Sequence, residues 1–342
     1  MCSDLRVLNS CLPRFPRSSR NGFSSMKDYD RSLLRTVHLV PLTPFTAKDE
    51  LNKELYHKHI ARMAAAGIRV YMPAAGTSEF HSLSADEIVE IVRITRAAAG
   101  PEAQIFAPVG YQVKHAIDVA KRSLAAGATG IMFMPFAHPY LSTAGARDYY
   151  RAVIDAAPCP TLIYKKGPDP SDAVLLELAD DPNVVGIKYA VNEMHQFRKV
   201  VMADQAKAPG GRIEWLCGTA ERFAPFYMLA GAPGYTTGAG NLCPHITLAM
   251  HAAFAAGEWA EGLRLQALLI PIEDYRAREA DSFNIAMLKS AMTLLGQDFG
   301  KPRPPQRQVT TKERDEIAAM MKPILKAEEE MAEEMATVGL TK

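Results

Sequence analysis

The chain has 342 residues, 48% of them hydrophobic and 23% charged, with a formal net charge of +1. That length suits one large α/β domain with a tail, or two ordinary domains. The near-neutral charge, without a basic stripe, excludes nucleic acid and anionic membrane as expected partners, and no apolar run approaches the ~20 residues of a membrane helix.

Residues 1–33 carry Arg6, Arg14, Arg17 and Arg20 among many serines, with no acid between Asp4 and Asp28. They read as a disordered or targeting-like N-terminal extension. From about residue 36 a regular alternation begins. Short β-rich runs fall at 37–40, 68–72, 104–109, 130–134, 161–164, 184–188, 213–217 and 234–237. Amphipathic stretches between them predict helices near 52–66, 84–99, 112–126, 143–156, 171–180, 192–205, 219–230 and 244–256. Ser84 and Glu87 form a capping-box signature at the second helix. Gly67, Gly100 and Gly127 stand where helices should stop.

Strict β-then-α order argues a parallel sheet, because parallel neighbours need crossover connections. Eight such units predict an α/β fold of the (β/α)8 TIM-barrel type over 34–257. An open doubly wound sheet is the alternative, but no GxGxxG follows the first strand. Residues 258–342 read as a helical C-terminal extension, interrupted by Pro302, Pro304 and Pro305 and ending in a charged face.

Cys2, Cys11, Cys159, Cys217 and Cys243 are odd in number and form no CxxC pair, so a reducing, cytoplasmic setting is expected rather than a disulfide framework. No HExxH occurs, and no metal or other cofactor is expected.

A barrel carries its chemistry at the C-terminal ends of its strands. The sixth strand, Val184-Val185-Gly186-Ile187, runs into Lys188. An amine at the inner end of a buried strand loses its charge readily, and a neutral amine attacks a ketone to form a Schiff base. Tyr164 ends the adjacent fifth strand, where a phenol can move protons. The second strand exits into Gly76-Thr77-Ser78, a turn whose backbone N–H groups suit a carboxylate. Glu79 follows, either as a second base or as a pin for the loop. The eighth strand leads to Thr236-Thr237-Gly238, where glycine leaves room for a substrate beside Thr237.

Together these residues resemble the dihydrodipicolinate synthase / N-acetylneuraminate lyase superfamily of pyruvate-type class I aldolases. The resemblance spans about 35–310. It rests on Leu42-Thr43-Pro44-Phe45, the turn Gly76-Thr77-Ser78-Glu79-Phe80 with Ser82-Leu83, Leu162-Ile163-Tyr164 and Gly186-Ile187-Lys188. It implies a TIM barrel with a C-terminal helical extension in a homo-oligomer, a tetramer or dimer. It also implies an imine between Lys188 and a 2-oxo acid, with Tyr164 as proton shuttle. The turn is most similar to the 5-dehydro-4-deoxyglucarate dehydratase branch. Asp169 stands where the synthases carry an arginine for their second substrate, which argues against dihydrodipicolinate synthesis.

The expected protein is therefore a lyase acting on a small-molecule 2-oxo acid such as pyruvate. Lys188 and Tyr164 are its candidate catalytic residues. Gly76, Thr77, Ser78, Thr237 and Tyr140 are its candidate substrate-binding residues, Tyr140 reaching its own site or a neighbouring subunit's. Lys165 and Lys166 are candidates for a distal anionic group. Retro-aldol cleavage or aldol condensation ranks first, dehydration of a deoxy sugar acid second and dihydrodipicolinate synthesis third. A barrel that binds a 2-oxo acid without turning it over is the non-enzymatic alternative.

Overall fold

The computed structural model describes residues 29–135 and 138–337. Eight parallel strands close a barrel in sequence order: β1 (Val37–Leu39), β2 (Val70–Tyr71), β3 (Gln104–Val109), β4 (Gly130–Phe133), β5 (Thr161–Lys165), β6 (Val184–Tyr189), β7 (Glu214–Cys217) and β8 (Tyr235–Thr237), with β8 paired to β1. Each is followed by a helix: α1 (Lys53–Ala65), α2 (Ala85–Ala99), α3 (Val113–Ala125), α4 (Thr143–Ala156), α5 (Asp172–Leu178), α6 (Met194–Gln205), α7 (Ala220–Leu229) and α8 (Pro244–Ala255). The fold is the TIM barrel expected from the alternation.

The local signals act as their chemistry requires. The Ser84 hydroxyl accepts from Glu87 N–H while the Glu87 carboxylate accepts from Ser84 N–H, closing the capping box at α2. Asn52, Ser142 and Ser171 cap α1, α4 and α5 in the same sense. The strands are buried almost throughout, as a sheet covered by helices outside and packed side chains inside demands.

Three features depart from expectation. First, residues 29–33 belong to the packed body: Tyr29 is buried edge-to-face with Phe106, ring centroids 6.4 Å apart, and Asp30 caps a short turn over Arg31–Leu34. The expected extension thus ends by 28, and its remainder, including Cys2 and Cys11, lies outside the described residues. Second, β2 is only two residues long. Third, the C-terminal extension is not helical throughout. It contains α9 (Trp259–Arg276), α10 (Asn284–Met292) and α11 (Thr311–Thr337), but 296–310 runs as an irregular strap. Gly296 turns the chain at φ 69° after α10, and the prolines at 302, 304 and 305 then deny the strap helical hydrogen bonds.

Cys159, Cys217 and Cys243 are free and buried. Among the described residues no helix is long and apolar enough to cross a membrane.

Candidate active site

Side chains alternate across a strand. On β6 the Tyr189 ring packs outward on Phe197 of α6, with centroids 5.3 Å apart. Lys188 therefore points into the barrel, and it is only 4% exposed. Its register partner on β5 is Tyr164, and the amine lies 4.0 Å from the centroid of that ring. Beside it, at the exit of β7, a Cβ on Gly218 would come within 3.0 Å of Lys188 Cγ and 2.9 Å of Tyr189 O, so only glycine leaves room for the lysine stem. Burial pushes the Lys188 amine down to about 7, helped by the positive charges of Lys166 and Arg276 and opposed by Cys217. The Tyr164 phenol is pushed up to about 12, first by desolvation and then by the nearby carboxylate of Asp281. The site thus pairs an amine able to be neutral at pH 7 with a phenol that keeps its proton.

The turn after β2 is held from behind. Glu79, in the left-handed region at φ 70°, is buried, and one carboxylate oxygen lies 2.6 Å from Lys289 Nζ on α10. The other oxygen accepts from Arg303 N–H in the strap at 2.8 Å. Glu79 is thus a pin for the loop, not a free base. Gly76 is exposed to the barrel mouth and Thr77 is half-buried. Ser78 is fully buried: its N–H donates to Ala75 O at 3.0 Å, and its hydroxyl donates to Pro41 O. Thr43 donates in turn to Ser78 O at 2.8 Å. Ser78 therefore shapes the turn and offers a ligand neither its amide nor its hydroxyl. The outward part of the turn is Gly76–Thr77.

Of the other four sequence candidates, all but Lys166 lie elsewhere. Thr237 shares the face of β8 with Tyr235, whose hydroxyl reaches Thr247 O on α8 at 2.6 Å. The Thr237 hydroxyl donates to Glu221 and accepts from Gly240 N–H at 2.7 Å, so it buttresses the rim from outside. Lys165 donates to Pro168 O at 3.0 Å and Pro170 O at 2.7 Å and pairs with Asp172, which removes it as an anion site. Lys166 is exposed, at the mouth. Tyr140 is 87% exposed in the loop before α4. It borders a cavity of about 1180 Å³ lined largely by the loops after β2, β3 and β4, with Phe80, Tyr111 and His115. That cavity excludes Lys188 and Tyr164.

Sequence reasoning missed several residues. Tyr111, at the exit of β3, holds φ 63° while stacking on Phe80 at 5.1 Å. Arg276 ends α9 with its guanidinium over the exit of β8, and Asp281 follows in a left-handed turn. A helical arginine 199 residues from its partner Thr77 leaves no local mark in a sequence. The one available signal was Gly238, which a large neighbour requires to lack a side chain.

A TIM barrel with a near-neutral lysine inside its mouth, facing a tyrosine, has the equipment of a lyase. The chain belongs to the dihydrodipicolinate synthetase family, which matches residues 34–324. It is 31% identical over 286 residues to a probable 5-dehydro-4-deoxyglucarate dehydratase of Chelativorans sp. (strain BNC1), covering 82% of this chain and 93% of that one. A probable enzyme of the same name from Cereibacter sphaeroides (strain ATCC 17029 / ATH 2.4.9) is 32% identical over 290 residues, again 82% and 93%. Among solved structures, dihydrodipicolinate synthase from Bacillus clausii superposes with a TM-score of 0.81 at 34% identity, covering 86% of this chain and 98% of that one. The synthase from Oceanobacillus iheyensis gives 0.82 at 30%, covering 87% and 99%. The protein is a lyase of this family.

Proposed function

We propose that Lys188 forms an imine with a 2-oxo acid and that the enzyme dehydrates a deoxy sugar acid of the 5-dehydro-4-deoxyglucarate type, using no cofactor. The observation that carries this reading is the Lys188 amine, 4% exposed, lowered to about 7 and set on the face of Tyr164.

The neutral amine adds to the oxo carbon C2, and the Tyr164 phenol protonates the carbinolamine hydroxyl as it leaves as water. The protonated imine then draws electrons from C3 as the tyrosinate takes the C3 proton. The enamine expels the C4 hydroxyl, again protonated by Tyr164. Water attacks the conjugated imine with the tyrosinate as base, and the amine is regenerated. Each proton that Tyr164 gives is returned, and one water is lost overall. The exposed amide of Gly76 and that of Thr77, with the Thr77 hydroxyl, face the C1 carboxylate.

Dehydration moves ahead of the aldol reaction on the names of the relatives, since both reactions share the imine. Asp169, exposed beyond Tyr164, gives no cation for a second carboxylate substrate, which keeps dihydrodipicolinate synthesis last. A homo-oligomer, dimer or tetramer, belongs to the same reading, and light scattering tests it.

Incubation with pyruvate and cyanoborohydride should place a mass adduct on Lys188. Tight binding without an adduct would favour the non-catalytic alternative. Incubation with 5-dehydro-4-deoxyglucarate then separates the chemistries: loss of water, with or without CO2, marks a dehydratase, and release of pyruvate an aldolase.

A further inference from the structure

The C-terminal extension places a cation over the barrel mouth. Arg276, the last residue of α9, is 5% exposed. Its guanidinium lies flat against the backbone of Gly238, where a Cβ would meet Nη2 at 2.5 Å and Cζ at 2.6 Å. Nη2 lies 2.9 Å from Asn284 Oδ1 and 3.5 Å from the Thr77 hydroxyl, Nε donates to Asn284 O at 3.3 Å, and Nη1 meets Glu273 at 2.5 Å. The guanidinium thus bridges the exits of β8 and β2, across the mouth from Lys188 on β6.

We infer that Arg276 is a substrate-binding residue that grips, together with Thr77, the carboxylate next to the carbonyl of the bound oxo acid. This rests on the proposed imine at Lys188. The Thr77 hydroxyl accepts from Nη2 at 3.5 Å and donates to Asn284 Oδ1 at 3.4 Å, both long bonds, so its proton can turn to an incoming carboxylate that it then shares with the guanidinium. The Thr77 bond is at the limit of hydrogen-bond length, so an incoming oxygen displaces little. Glu273 and Asn284 hold the planar group in one orientation, which lowers the entropy lost when a ligand binds.

A second observation points the same way. Directly after Arg276 the chain runs Glu279, Ala280 and Asp281 through the left-handed region, at φ 50°, 54° and 66°. Three successive non-glycine residues there are disfavoured, and such strain persists where surrounding structure imposes it, typically at functional sites. This turn brings Asp281 within electrostatic range of Tyr164. The extension is thus built into the mouth, with one cation toward the β2 turn and one anion toward the phenol.

The test compares two carbonyl probes on the whole chain: pyruvate, and hydroxyacetone, which lacks the carboxylate. Cyanoborohydride trapping on Lys188 is measured by mass spectrometry against probe concentration. Loss of the Arg276 charge also shifts the Lys188 amine, but that affects both probes alike, so the preference for pyruvate over hydroxyacetone is the readout. Arg276→Gln should lower this preference about 10- to 100-fold, in line with one charge-assisted contact. Arg276→Lys should recover part of it. Arg276→Gln with Glu273→Gln removes both charges, leaves no bare carboxylate buried, and should show the same loss. An unchanged preference in a folded variant would overturn the assignment, as would a wild-type enzyme without preference. Absence of any Lys188 adduct in the wild type would instead strike the imine itself.

Discussion

The state of Lys188 can be tested by pH alone. An ordinary lysine titrates near ~10.4, so at pH 7 only about one amine in 2,500 is neutral. With the group lowered to about 7, half are neutral. Burial thus supplies roughly a thousandfold more nucleophile at neutral pH. The initial rate of adduct formation with saturating pyruvate and cyanoborohydride should fall about tenfold per pH unit below 7 and level off above it. Lys166→Ala removes the largest charge that opposes the protonated amine and should move the midpoint upward. A rate still climbing tenfold per unit through pH 9 would refute the reasoning, because the amine would then be ordinary. Stability carries the same information with a definite sign. The folded state holds the Lys188 proton less tightly than the unfolded chain, so between pH 7 and about 10.4 the unfolded chain binds more protons and stability rises with pH. Below pH 7 the full penalty applies, on the order of 5 kcal/mol. Lys188→Met should therefore stabilise the protein against urea most at pH 6, with the advantage shrinking toward pH 10.

Tyr164→Phe should lower turnover about 10²- to 10⁴-fold through loss of the proton shuttle, with an unchanged fold by circular dichroism. Lys289→Met leaves the Glu79 carboxylate buried and unpaired, at a cost of about 3–5 kcal/mol in urea unfolding, whereas Lys289→Met with Glu79→Gln should recover much of it. Gly238→Ala drives a methyl into the Arg276 guanidinium and should reduce pyruvate trapping in the same sense as Arg276→Gln, read by the same adduct assay.

The fold was legible because glycine, proline and serine punctuate each β-run and helix. The strands fall within one residue of the expected bounds except at β2, where the hydrogen bonding starts two residues inside the apolar run. Lys188 and Tyr164 were legible for a related reason: each ends a strand, and adjacent strands of a parallel barrel bring such ends to one rim. Thr237 was misread through neglect of the two-residue period, since Tyr235 packs outward on α8 and Thr237 follows it to the same side. The role of Ser78 was hidden because its partners Pro41 and Ala75 are set by how the turn folds back on β1. Lys165 reads as a free rim cation until the loop after β5 curls back and wraps its amine in two carbonyls.

Apart from Tyr111, what stayed invisible comes from the extension, and for one physical reason. Barrel residues reach the mouth through local strand geometry, whereas Arg276, Asp281, Lys289 and Arg303 reach it through the packing of helices and strap formed late in the chain. Those four act on the β2 turn and on Tyr164. Lys289 and Arg303 fix Glu79 and hence the turn that carries Gly76 and Thr77. Arg276 backs Thr77 from above, and Asp281 biases Tyr164 toward its protonated form. The barrel alone supplies a buried amine and a phenol, which suffice for an imine. In the proposed reaction, orientation of the acid, and with it the choice of which C3 hydrogen faces Tyr164, falls to the extension. Divergence in that segment is therefore expected to change substrate choice while leaving the proposed Lys188 chemistry intact, as expected where function lives in sites grafted on a shared fold.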